Sequence, residues 1–61
     1  MLALKIINCN DPMMWYSNLI GQTVTLARHP DSDREVYWSR EQAGYLNIVY
    51  KKDAEVIDVD D

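Results

Sequence analysis

Residues 44–57 leave the chain few choices of fold. Tyr45-Leu46-Asn47-Ile48-Val49-Tyr50 and Ala54-Glu55-Val56-Ile57 are short runs rich in β-formers, separated by the polar step Lys51-Lys52-Asp53 and preceded by Gly44. They read as two strands joined by a single turn, the apolar half of a very small β-barrel. Within the first run, alternation sets Leu46 and Ile48 on one side and Tyr45, Asn47 and Val49 on the other.

The upstream sequence repeats the pattern. Leu2, Leu4 and Ile6 alternate with Ala3, Lys5 and Ile7, which predicts a first strand over 2–8 that ends at the turn formers Asn8 to Pro12. Residues 13–19 are too short for a stable helix and too irregular for a strand, so a 3₁₀ turn in a long loop is expected, with Trp15 capping the open end of the barrel. Gly21 suits a bend into a second strand over 22–28, where Val24 and Leu26 face one way and Thr23 and Thr25 the other. After the turn at 29–33, Glu35 to Arg40 forms a third strand, with Val36 and Trp38 on one face and Tyr37 opposite. A loop over 41–44 leads into the fourth. The expected architecture is all-β: a five-stranded, SH3-like barrel over 1–57 with a long loop between strands one and two, followed by an acidic tail at 58–61.

Composition narrows the function. A 61-residue chain buries only about 60% of the surface its unfolded state exposes, so a domain of this size is held by good packing or by self-association unless it is cross-linked. Cys9 is the single cysteine and His29 the single histidine, which excludes an internal disulfide and a Cys/His zinc site. With no long apolar run and no secretory pattern at the amino terminus, the chain is expected to be cytoplasmic and free of membrane partners. The net charge of −4 disfavours phosphate backbones and favours partners with a basic surface.

Trp15-Tyr16, Ile20-Gly21 ahead of a valine-bearing strand, Tyr37-Trp38, Gly44-Tyr45 and the closing Lys52 to Ile57 together resemble small phage and prophage proteins of SH3-like barrel type. The resemblance covers most of residues 4–57 and consists of strand and turn features. It implies a small barrel of viral origin, in a setting where very small acidic proteins often bind and block a host protein. The acidic-aromatic motif by which signalling SH3 domains hold proline-rich peptides is missing, and ribosomal-type barrels are basic where this chain is acidic.

No residue set reads as catalytic or cofactor-binding. Cys9 and His29 lack the orienting third group that a nucleophile needs. Asp31, Asp33 and Glu35, like Asp58, Asp60 and Asp61, lack the spacing of a calcium loop and read as a solvated turn and tail. The aromatics carry the functional expectation. Trp15, Trp38 and Tyr50 read first as barrel filling, whereas Tyr37, Tyr45 and the Trp15-Tyr16 loop are expected to present a partner-binding patch. The alternative is a nucleic-acid-associated barrel of the KOW kind in which Arg28, Arg34, Arg40, Lys51 and Lys52 accompany the tyrosines. An open sheet edge driving a homodimer is compatible with both.

Overall fold

The computed structural model describes residues 1–59. Five strands follow one another: β1 (Leu2–Ile6), β2 (Thr23–Thr25), β3 (Val36–Arg40), β4 (Leu46–Tyr50) and β5 (Ala54–Asp58), with a 3₁₀ turn at Lys51–Asp53 before the last. The chain is all-β as expected, and no α-helix occurs among the described residues. Among the described residues no helix is long and apolar enough to cross a membrane.

The strands form two small antiparallel sheets, β2-β1-β5 and β3-β4, and do not close into a barrel. The gap traces to β2. Regular pairing was expected over 22–28, but β2 keeps only Thr23–Thr25, in register with Lys5 to Ala3. Beyond it a single backbone bond reaches the second sheet, from Ala27 N–H to the Trp38 carbonyl at 2.8 Å. The other end of the chain is more regular than expected: Asp58, assigned to the acidic tail, pairs with Leu2 as the last residue of β5. Asp60 and Asp61 lie outside the described residues.

Glycine is required at two turns. Gly21 adopts φ 87° as the chain bends into β2, and its N–H bonds the Ile6 carbonyl at 2.7 Å. Gly44 adopts φ 99° at the end of the 41–44 turn, where its N–H closes on the Glu41 carbonyl at 2.8 Å. Both are left-handed conformations that a side chain would strain.

The core is Leu4, Ile6, Tyr16, Val49 and Ala54, flanked by Val24, Leu26 and Val56. In the three-stranded sheet the sequence pattern is obeyed. Leu4 and Ile6 stand opposite Val56 and Ala54 on the inner face, while Lys5 stands opposite Glu55 and Thr23 on the outer one. Apart from the Ala3–Ile57 pair, which shares the face of Lys5 and Glu55, apolar side chains turn in and charged or hydroxyl side chains turn out over the centre of the sheet.

Candidate functional site

The hairpin β3-β4 departs from that rule. Its register pairs Val36 with Tyr50, Tyr37 with Val49, Trp38 with Ile48, Ser39 with Asn47 and Arg40 with Leu46. Val49 and Ser39 are fully buried and Tyr37 packs against the core, so Tyr37, Ser39, Asn47 and Val49 form the inner face. The outer face is left with Val36, Trp38, Leu46, Ile48 and Tyr50, together with Arg40. Alternation predicted correctly which residues share a face. The expectation that Trp38 and Tyr50 fill the interior and Tyr37 points outward does not hold: Tyr50 is exposed, Trp38 is half-buried on the outer face, and Tyr37 is half-buried against the core.

The reversal has an energetic signature. The inner face carries two polar side chains, and the hydroxyl of Ser39 is buried without a hydrogen-bond partner among the described residues. A buried hydroxyl in that state costs about 1–3 kcal/mol. Asn47 is satisfied by donating to Glu41 Oε2 at 2.9 Å and by accepting from the Ile48 N–H at 2.8 Å. Meanwhile Leu46 and Tyr50 are each 39% exposed on the opposite face. The hairpin thus buries its more polar side and shows solvent its more apolar one.

Cations border this outer face. The Arg28 guanidinium lies over the Trp38 ring, 5.5 Å from its centroid, and the Lys52 ammonium lies 5.7 Å from the centroid of Tyr50. Such contacts contribute about 0.5–1 kcal/mol at exposed sites. Arg40 folds toward the 41–44 turn and donates to the Gly44 carbonyl at 2.8 Å. Beside Tyr50 a shallow depression is lined by Arg34, Lys51 and Lys52 against one carboxylate, Glu35.

The Trp15-Tyr16 loop occupies a different place from the one expected. Its turns are built by Asp11, whose side chain accepts the Met13 N–H at 2.9 Å, and by three successive bonds of the 3₁₀ type ending at Leu19 N–H to Tyr16 carbonyl, 2.9 Å. Those turns carry Tyr16 into the core, where it is 0% exposed. Its hydroxyl donates to Asp53 Oδ2 at 2.5 Å and accepts the Tyr50 N–H at 3.4 Å. Asn8 donates to the other oxygen of the same carboxylate at 3.2 Å, and the Asp53 carbonyl accepts the N–H of Ile7 at 2.8 Å. Burial first, and the bond to Asp53 second, raise the Tyr16 phenol well above the ordinary tyrosine range.

Trp15, half-buried and edge-on to Tyr16 with ring centroids 5.6 Å apart, donates its indole N–H to the Ile48 carbonyl at 2.8 Å. Together the two aromatics satisfy the outward backbone groups of Ile48 and Tyr50, so the free edge of β4 is covered by side chains of the long loop. This is the edge protection that open sheets need. Tyr16 is therefore a core residue and not a partner contact, because the ring and hydroxyl are consumed by the seam between loop and hairpin.

Of the remaining expected contacts, Tyr45 is 73% exposed and Tyr37 is half-buried on the inner face with the Lys51 ammonium 5.4 Å from its centroid. They do not form one patch. Tyr45 bonds Glu41 across the turn, four residues along β3 from Tyr37, which at strand spacing is roughly 13 Å. The residues that alternation missed as surface candidates are Leu46 and Tyr50, with Trp38 and Ile48 half-buried beside them. The polar pair Ser39 and Asn47 on the opposite face was no warning, because each also fits an outward position. Cys9 and His29 do not hydrogen-bond each other: the thiol donates to the Asp11 carbonyl at 3.1 Å, and His29 is exposed in the turn after β2.

No protein-family model, curated protein or solved structure matches the chain.

Proposed function

We propose that the chain is a non-enzymatic protein-binding module that docks through the outer face of the β3-β4 hairpin, with Trp38 and Ile48 at its centre. The observation that carries this reading is the inversion of the hairpin: Leu46 and Tyr50 are exposed, with Val36, Trp38 and Ile48 half-buried between them, on the face opposite the fully buried Ser39 and Val49. Contiguous exposed apolar surface on a small protein marks an interaction site, and tryptophan and tyrosine are its usual anchors. Five antiparallel strands with a long first connection support reading the fold as an open SH3-like barrel. The likeness to small phage proteins then suggests a cytoplasmic inhibitor or modulator of a host protein.

Nucleic acid is the weaker alternative. The net charge of −4 repels a phosphate backbone at long range.

Affinity capture from a bacterial lysate with and without nuclease, using the wild-type chain and the double variant Leu46→Thr/Tyr50→Thr, tests the reading. Threonine retains strand propensity at both positions. The expected result is one stoichiometric, nuclease-resistant protein that the double variant fails to retain while its urea midpoint stays unchanged. Recovery of nucleic acid alone, or equal capture by both chains, overturns it.

A further inference from the structure

The charge around the apolar face narrows the partner's chemistry. The chain as a whole carries −4, yet none of the outward positions of the hairpin is a carboxylate: they are Val36, Trp38, Arg40, Leu46, Ile48 and Tyr50. The cations Arg28 and Lys52 reach onto the face from outside the hairpin, over Trp38 and Tyr50. At the Tyr50 end the surface continues into the depression lined by Arg34, Lys51, Lys52 and Glu35, where Arg34 pairs with Asp31 at 3.8 Å and Lys51 donates to the Asp31 carbonyl at 2.6 Å. Four carboxylates are engaged or lie elsewhere: Asp53 is buried beneath Tyr16, Glu41 holds Asn47, Glu55 faces Lys5 across the other sheet and Asp58 ends β5. An acidic protein has thus gathered cations around its most apolar surface.

Resting on the docking face proposed above, we infer that its occupant is an acidic, apolar segment of another protein, whose aliphatic or aromatic side chains pack on Trp38 and Ile48 while its carboxylates meet Arg28, Arg40 and Lys52. This reverses the expectation of a basic partner drawn from net charge. Net charge governs long-range approach, whereas the charges bordering the contact govern which partner is retained. Arginine over an aromatic ring also keeps its in-plane N–H donors directed outward, the geometry that takes a carboxylate edge-on.

A random dodecapeptide display library selected on the immobilised wild-type chain supplies the probe. Counter-tests use Arg28→Gln/Arg40→Gln/Lys52→Gln, which keeps side-chain length and hydrogen-bonding capacity, and Leu46→Thr/Tyr50→Thr. Urea midpoints of both variants establish that they fold. The expected pool is enriched in Asp and Glu interspersed with apolar residues, and its representative peptides bind the glutamine variant about tenfold or more weakly, equivalent to about 1.4 kcal/mol. A neutral or basic pool that still requires Leu46 and Tyr50 overturns the acidic partner and leaves the docking face standing. A pool that binds the threonine variant as well as the wild type, or no enrichment at all, overturns the face and the inference together. A dimer of the free chain by light scattering that dissociates in the threonine variant identifies a second copy as the occupant, and also overturns the inference.

Discussion

Apart from the short β2, the two sheets are made from five-residue strands, yet they treat their faces differently. In β2-β1-β5, Leu4, Ile6 and Val56 turn inward and Lys5, Thr23 and Glu55 turn outward. In β3-β4, Ser39 and Asn47 turn inward and Trp38, Leu46 and Ile48 turn outward. A sheet whose only task is to close a core has no reason for the second arrangement, since rotating the hairpin by one residue would exchange the two sets. Tyr16 holds the hairpin in place. Its hydroxyl is tied to Asp53 and to the Tyr50 N–H, and its ring shares the core with Leu4, Ile6, Ala54 and Val49. One buried tyrosine thus joins the core of the first sheet to the inner face of the second.

Leucines at two positions separate the sheets most sharply. Leu4→Ala removes a fully buried side chain from the three-stranded sheet and is expected to cost about 2–5 kcal/mol, enough to unfold much of the population of so small a domain. Circular dichroism with urea titration reads this directly.

Tyr16→Phe attacks the link between the sheets. It leaves the buried Asp53 carboxylate without its closest donor and should lower stability by about 1–3 kcal/mol. It should also change the alkaline limb of the stability profile. The Tyr16 phenol is raised in the folded state, so the fold binds a proton that the unfolded chain releases above about pH 10. Its contribution is complete below that pH and is lost above it, at about 1.4 kcal/mol per pH unit, until the folded phenol itself ionises. Urea midpoints between pH 8 and 11 should fall for the wild type and fall less for the phenylalanine variant. Identical slopes would show that Tyr16 is not the titrating group.

Ser39→Ala sharpens the comparison from the hairpin's inner side. Removing an unpartnered buried hydroxyl should raise stability by about 1 kcal/mol, visible as a higher melting temperature. The smallest effect belongs to the second leucine. Leu46→Thr on the outer face should change stability by less than about 0.5 kcal/mol, since it is partly exposed and packs on no core residue.

Much of this architecture is legible in the sequence. The five strands, the turns at Gly21 and Gly44, the one-turn step at Lys51–Asp53 and the separation of Val24 from Thr23 and Thr25 all follow from alternation and turn chemistry. What alternation does not contain is the sign of each face. In β1 the two sets differ so much in polarity that the sign is evident. In β3 and β4 both sets contain large apolar residues, and the decision falls to Tyr16 and Asp53, which lie 37 positions apart and meet only in the folded chain. The same long-range contact took Tyr16 out of the expected binding patch. β2 is shorter than the 22–28 run predicts because the β-branched residues end at Thr25, and beyond it only Ala27 finds a backbone partner in the second sheet.

The most direct test of the inverted hairpin is solvent paramagnetic relaxation of side-chain methyl groups in the free protein. With a soluble gadolinium chelate, the methyls of Leu46 should relax strongly and those of Ile48 to an intermediate degree, while those of Val49 and Leu4 remain protected. Protected Leu46 and Ile48 methyls with an exposed Val49 would place the apolar face inside and contradict the account.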